Sequence, residues 1–325
     1  MITPKKSNSH STGIRYLCRL WLIVLLPEAL LLAVPAGHAQ IPAEHPWQST
    51  LHTDHPLTGL IWDAASNQFI DIATLNTALS SASVLLLGEK HDNPDHHLLR
   101  LQLLNDLISA RRVASLTLEM LTMSRQPAID QAATIDNIGS AALRKLLNWD
   151  QAWNWEFYSA PLHAALEADV PVLAGNLDSP AISAIYAGQI PDNQPLAPDQ
   201  QQQLLLEIDR SHCGLLPESQ FPAMMRVQQA RDQQMADALS NPDITPAGIR
   251  ILLAGNFHVR HDLGVSNYLP QDVGQIVTVA FLEVNPESDD PRDYLEQFSD
   301  RRVYDFVWFT PAVLTADYCE QMRNQ

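Results

Sequence analysis

Two short strings hold most of the residues able to do chemistry. Residues 84–97 read Val-Leu-Leu-Leu-Gly-Glu-Lys-His-Asp-Asn-Pro-Asp-His-His, and residues 252–258 read Leu-Leu-Ala-Gly-Asn-Phe-His. Each is an apolar run followed by Gly-x-x-His. With 12 Gly and 12 His in 325 residues, about 0.4 such pairs are expected by chance, so the placement of both after apolar runs is the informative part. Glycine permits a sharp turn off a strand, and the histidine three positions later can aim back across the sheet edge. Glu89, Glu119 and Glu283 also follow apolar runs. If the strands are neighbours, Glu89, His91, Glu119 and His258 converge on one cleft. Imidazole with carboxylate suits a divalent metal such as Zn or Mn. The same groups, Glu89, His91 and His258, suit general acid–base catalysis.

Further groups flank these turns. His96 and His97 fall in the first turn of an expected helix, whose N-terminus disfavours imidazolium and keeps them in the neutral, ligating form. His97 can equally pack on the sheet, and His96 can be solvated. Lys90, Arg260 and His261 form a basic cluster that could bind ligand carboxylates or neutralise Glu89, Asp92 and Asp262 locally. The aromatic run Trp149–Tyr158 and Met120, Met123, Met224 and Met225 could line a flat apolar pocket, or be core.

The elements that must position these groups follow from pattern. Gly59–Asp71 reads as a hairpin around Ser66-Asn67, and Ile72–Ser81 as a short helix. Ser83–Leu87 is a buried strand. Asn93 is an N-cap with Pro94 at the first helical position, and the helix runs to about Ala110. Leu101, Leu104 and Ile108 share one face with His97, and His96 points about 100° away. Ser115–Leu118 is a strand ending in Glu119, and residues 124–148 are helical. Pro161–Ala168 is helical, and Val170–Ala174 is a strand. Residues 190–202 read as a linker, and 203–240 as two helices separated by His212-Cys213-Gly214 and Pro217. Arg250–Ala254, Gln275–Leu282 and Val303–Phe309 complete the strands. This alternation predicts an α/β fold with a mostly parallel central sheet flanked by helices. A helical subdomain, at about 191–245, is inserted over the strand C-terminal edge, where open α/β sheets bind ligands.

Targeting and charge narrow the class. Lys5, Lys6, Arg15 and Arg19 precede the apolar run Leu20–Val34, and Ala36-Gly37-His38-Ala39 offers a cleavage site, so residues 1–39 read as a signal peptide. The segment before Cys18 lacks a lipidation site. Residues 40–57 form a flexible lead-in and 58–325 the folded domain. The leader carries four bases and one acid, so the remainder has 16 bases and 36 acids, a formal charge of −20. That disfavours nucleic acid. Cys213 and Cys319 remain after cleavage; an oxidising compartment permits their pairing, and spacing alone leaves it open.

Several strings together resemble the ChaN-like family: Leu-Leu-Leu-Gly-Glu-Lys-His-Asp-Asn-Pro-x-His-His, Leu-Glu-Met-Leu at 118–121, the Trp-rich segment, Arg231-Asp232 and Met235-Ala236, Ala-Gly-x-x-His-x-Arg at 254–260, and Trp308-Phe309-Thr310-Pro311. The resemblance spans about residues 58–320. It extends to a wider group with TIKI-type and TraB-like proteins and erythromycin esterases. It implies haem as cofactor and a periplasmic haem-binding protein in haem or iron uptake. It also implies a possible homodimer around the haem and an envelope haem receptor or transporter as partner. Lys90, His91 and Arg260 are then propionate partners, and His97, His258 or a tyrosine (Tyr158, Tyr186, Tyr268, Tyr294, Tyr304, Tyr318) the iron ligand. Many family members are lipoproteins; the missing lipidation site here favours a soluble periplasmic form. The competing reading is a metal-dependent hydrolase built on the Gly-x-x-His turns.

Overall fold

The computed structural model describes residues 46–189, 196–244, 247–295, 301–313, 319 and 323. The expected signal peptide lies outside these residues, as do positions 40–45 and 190–195. An eight-stranded sheet runs in the order β2-β1-β8-β7-β3-β6-β4-β5. Its strands are β1 (Ile61–Asp63), β2 (Gln68–Ile70), β3 (Val84–Leu87), β4 (Val113–Thr122), β5 (Val172–Asn176), β6 (Ile249–Leu253), β7 (Ile276–Glu283) and β8 (Phe306–Thr310). The six strands from β8 to β5 are mutually parallel; β1 runs antiparallel to both β2 and β8. The expected hairpin is β1–β2, with Asn67 at φ 52° in the turn.

Strand side chains alternate. Leu85 and Leu87 of β3 enter one apolar layer, Val84 and Leu86 the other. The first layer is closed by α1 (Ile72–Leu79), α2 (Pro94–Ser109), α3 (Gln126–Ala132), α4 (Ser140–Leu146) and α5 (Trp155–Glu167). The second is closed by α8 (Phe221–Leu239), through Met235, Ala236 and Leu239. α6 (Ser179–Tyr186) and α7 (Pro198–Ser211) pack against α8. The inserted helices thus do two jobs: the C-terminal half of α8 seals a sheet face, while α7 and the first half of α8 roof the strand C-terminal edge.

Several boundaries differ from the sequence reading. Helix α7 starts at Pro198, so residues 198–202 are helical; Pro at the first position and a side chain of Gln200 accepting from the Ala197 amide (3.1 Å) start it. The 124–148 stretch breaks into a 3-10 turn (Met123–Arg125), α3 and α4. Helix α5 begins six residues earlier than expected, with Asn154 as N-cap, and carries Pro161 inside it. Strand β4 runs past Glu119 to Thr122, with a register irregularity against β5 between Leu118 and Thr122. On α2 the buried residues are Asp95, His96, His97, Leu99, Arg100, Leu103, Leu104 and Leu107, so His97 and Leu104 are on the buried face as expected, while Leu101 and Ile108 are half-buried. The stripe is wider and rotated because α2 packs on α5 as well as on the sheet. Residues 46–57, expected to be loose, are tied down: the Gln48 and Ser49 amides donate to Asp95 (2.9 and 2.8 Å), and Leu51 bridges to Ala312.

At the far edge, β5 pairs with β4 on one side and, among the described residues, with no strand on the other. The Gln126 side-chain amide occupies that edge, accepting from the Ala174 amide (2.8 Å) and donating to the Val172 carbonyl (3.0 Å). A disulfide joins Cys213, in the α7–α8 turn, to Cys319, which answers the question the spacing left open.

Candidate functional site

Strands β3 and β6 are parallel neighbours with Leu87 beside Leu253. This puts the two Gly-x-x-His turns side by side, and the Asn256 amide donates to the Glu89 carbonyl (2.8 Å). Neither glycine has a positive φ, so the need for glycine is spatial. A Cβ on Gly88 would collide with Asn256 and stand 2.9 Å from Val259; one on Gly255 would stand 3.0 Å from Nε2 of His91. Each glycine makes room for the opposite turn.

The two histidines then meet different surroundings. His258 is 6% exposed. Its Nδ1 is 2.6 Å from Asp232 Oδ1 and its Nε2 3.4 Å from Glu119 Oε1. Burial alone would lower its pKa; the two carboxylates override that and push it up to about 10. It is an imidazolium with both nitrogens committed. Burial would raise the Glu119 carboxyl, but the His258 charge holds it well below the usual range, and the Gly255 amide also donates to it (2.8 Å). Asp232 is pushed up to about 6, chiefly by burial.

His91 is open, its side chain 41% exposed. Its Nδ1 lies 2.8 Å from Glu89 Oε1. Glu89 is buried and also receives the Tyr158 hydroxyl (2.5 Å) and the Arg100 guanidinium. The Trp153 ring meets the His91 ring edge-on, centroids 4.8 Å apart. Desolvation by these walls lowers the His91 pKa, against the pull of the Glu119 charge.

His96 and His97 sit behind this surface. His96 is fully buried, not solvated: Nδ1 accepts from the Lys90 amide (2.8 Å) and Nε2 meets Thr310 Oγ1 (2.8 Å). Burial holds it well below its usual pKa. His97 Nε2 donates to the His91 carbonyl (3.0 Å), Nδ1 accepts from Arg100 (2.7 Å), and Phe157 stacks on the ring at 4.2 Å. Burial lowers its pKa to about 4. Burial, rather than the helix position that the sequence reading invoked, favours the neutral form of both, and neither offers a free nitrogen.

The basic cluster is neutralised locally. Arg260 is clamped by Asp262 (2.8 and 2.7 Å), and His261 is 2.7 Å from Asp305. Lys90 pairs with Asp92 (3.0 Å) and Glu283 (3.1 Å), but its side chain stays 41% exposed. Of the aromatic run, Trp149, Trp155 and Tyr158 are core.

Above the turns lies a cleft of about 490 Å³ between the ends of β3, β6 and β7 and the α7–α8 roof. Ile208, Met224, Phe257, Phe281 and Leu282 give it apolar walls; Glu89, Lys90, His91 and His258 from the sequence prediction line it, with His212. Glu119 lies below His258; His97 and Arg260 are not in the lining. Among the described tyrosines none lines the cleft, and Tyr318 lies outside the described residues. Among the described residues, no group of three or more His, Cys, Asp or Glu is arranged to hold a metal ion, so the Zn or Mn alternative on Glu89, His91, Glu119 and His258 finds no support. Arg100 escaped the sequence reading, though it stands three residues after His97. Tyr158 was named there as a candidate iron ligand and Asp232 within a resemblance string, but their places on Glu89 and His258 come only from tertiary packing. His212 was visible, but only as a break between helices.

An apolar cleft with imidazoles at the C-terminal edge of a parallel sheet defines a ligand-binding α/β protein. Residues 75–269 match the family model described as haem-binding uptake, Tiki superfamily, ChaN, and the chain belongs to that family. It is similar to ChaN of Campylobacter jejuni, a structure described as showing cofacial haem binding, with 27% identity and a TM-score of 0.63 over 76% of this chain and 95% of that one. Weaker likenesses include the type III effector HopBA1 (17% identity, TM-score 0.43, 73% and 92% covered) and an erythromycin esterase EreC mutant (13%, 0.45, 76% and 95%). No curated protein matched the chain by sequence.

Proposed function

We propose that this chain binds haem in the cleft above the two Gly-x-x-His turns, and that it serves haem or iron uptake outside the cytoplasm. The observation that carries the reading is the cleft itself. Its volume falls within the roughly 300–1,000 Å³ of small-molecule sites. It offers apolar faces for a macrocycle and an exposed ammonium, Lys90, for a propionate. Iron would supply open coordination positions; the residues supply the slot, the orienting hydrogen bonds and water exclusion. The Cys213–Cys319 bond fits an oxidising compartment, and the basic, apolar and small-residue order of residues 1–39 fits export. A homodimer closed around the exposed ligand edge, and hand-over to an envelope receptor or transporter, complete the proposal.

Ferric haem titrated into the secreted form tests it. The expected result is a saturable Soret band, unaffected by chelator, with a twofold larger species on gel filtration. Binding that never saturates would remove the haem reading. Mass spectrometry of the exported protein should find a new N-terminus near residue 40; an intact leader would refute export by cleavage.

A further inference from the structure

A second concavity shares no residue with the cleft. It is a groove of about 830 Å³ along the outer edge of β5, with α3 on one sheet face and the C-terminal end of α8 on the other. Met123, Ile129, Leu166 and Leu173 are among its apolar walls. Asp130, Asp169, Asp237 and Asp243 line it too, all four exposed, and among the described residues no lysine, arginine or histidine does.

The floor of this groove is a strand edge. Pro171 accepts from the Leu116 amide on the β4 side (2.9 Å), so the alternation of the backbone turns the peptide groups of Val172 and Ala174 outward. The Val172 carbonyl and the Ala174 amide are the two groups that one residue of a further parallel strand would bind. The Gln126 side chain holds both, donating to the first (3.0 Å) and accepting from the second (2.8 Å). One flexible side chain thus stands in for one residue of backbone. The space beside it, from Val170 to Ala174, stays open as the groove.

Charge selects the occupant. Four carboxylates with no cation among them attract a basic segment and repel an acidic one. A second copy of this chain fits badly, since it is strongly acidic and its own edge carries the same glutamine. The side chains of an added strand point alternately to the two faces, and here they meet α3 on one side and α8 on the other.

We propose that the outer edge of β5 receives an extended, basic segment of a partner protein, which displaces Gln126 and pairs with Val172 and Ala174 in the groove between α3 and α8. In such pairing the main-chain bonds supply affinity and the side-chain contacts supply choice. The incoming backbone remakes both bonds of Gln126, and its side chains reach apolar walls and carboxylates that the glutamine leaves uncovered.

The test is fluorescence anisotropy of a labelled octapeptide of alternating lysine and valine, titrated with the exported protein at physiological salt. Saturable binding is expected, and the same peptide with glutamate for lysine should not bind. The lysine peptide N-methylated at every second residue keeps its charge and loses strand donors, so it should bind about tenfold or more weakly. Asp237→Lys should weaken binding roughly fivefold or more, whereas Asp272→Lys, the same charge change in the turn before β7, should alter it little. Gln126→Ala removes the competitor and should tighten binding roughly two- to tenfold. Gln126→Met, which keeps the length without the amide, should do the same. Hydrogen exchange at the Val172 amide should slow in the complex.

Equal binding of the N-methylated peptide, or no tightening in either Gln126 variant, overturns strand pairing. Equal losses in Asp237→Lys and Asp272→Lys would mean adsorption to overall charge and overturn the site. A wild type that never saturates with the lysine peptide overturns the proposal outright.

Discussion

The turn Gly88–His91 and the turn Gly255–His258 are near-copies in sequence and opposites in physics. Both leave neighbouring parallel strands, and each glycine clears space for the other. One histidine then lies under the roof between two carboxylates; the other faces the cleft with one nitrogen engaged. A buried imidazolium needs its charge matched, and truncating one partner of such a set costs far more than the set contributes. An exposed imidazole has no such debt, and its spare nitrogen is available to a ligand. The first turn therefore offers chemistry, and the second supports it.

Four outcomes would break or sharpen that contrast. His258→Ala leaves Glu119 and Asp232 buried without their cation and should cost about 3–5 kcal/mol in chemical denaturation; a loss no larger than that of His91→Ala would end the distinction. Gly88→Ala drives a methyl into the Asn256 side-chain oxygen, which the Phe281 amide also uses, and against Val259, and should cost about 1–3 kcal/mol. Gly255→Ala meets only the movable His91 ring and Glu119, so a smaller loss is expected, with a changed haem spectrum as its mark.

The third outcome concerns pH, where the two kinds of buried histidine have opposite signs. His97 has a folded pKa of about 4, below the ordinary value. Its share of stability is full above about 6.5 and lost as pH falls toward 4, at up to about 1.4 kcal/mol per pH unit. His258, at about 10 in the folded state, contributes fully below about 6.5 and loses its share as pH rises toward 10. Denaturation midpoints across pH should show both limbs, and His97→Gln should flatten the acid one. An unchanged acid limb would mean His97 is not its source. Fourth and smallest, His91→Ala should cost about 1 kcal/mol or less, because Glu89 keeps Tyr158 and Arg100.

Local signals made much of this legible. Asn93-Pro94 marked the start of α2 to the residue, because an N-cap and a first-turn proline are local physics. The parallel sheet followed from alternation of strand and helix. The meeting of the two turns followed once their strands were taken as neighbours. Other features depended on what packs where. The buried face of α2 was misjudged because α5 covers a second side. Arg260 looked like a ligand cation, yet Asp262, two residues on, already holds it. His96 gave no sign of its burial, since its partners, the Lys90 amide and Thr310, come from a turn and from a strand 214 positions away. Asp232 arrives from a helix on the opposite side of the sheet edge, a relation that no spacing encodes.

The glutamine on the outer edge of β5 has a consequence for assembly. An open strand edge is a template on which another chain can add a strand. Gln126 fills the donor and acceptor positions at Ala174 and Val172 with its own amide, and at the other end of the sheet β2 is only three residues long. Continuous growth of the sheet from copy to copy is therefore blocked at one end and given little purchase at the other. In the proposed homodimer, strand addition is therefore the disfavoured route, and contact through side chains the favoured one.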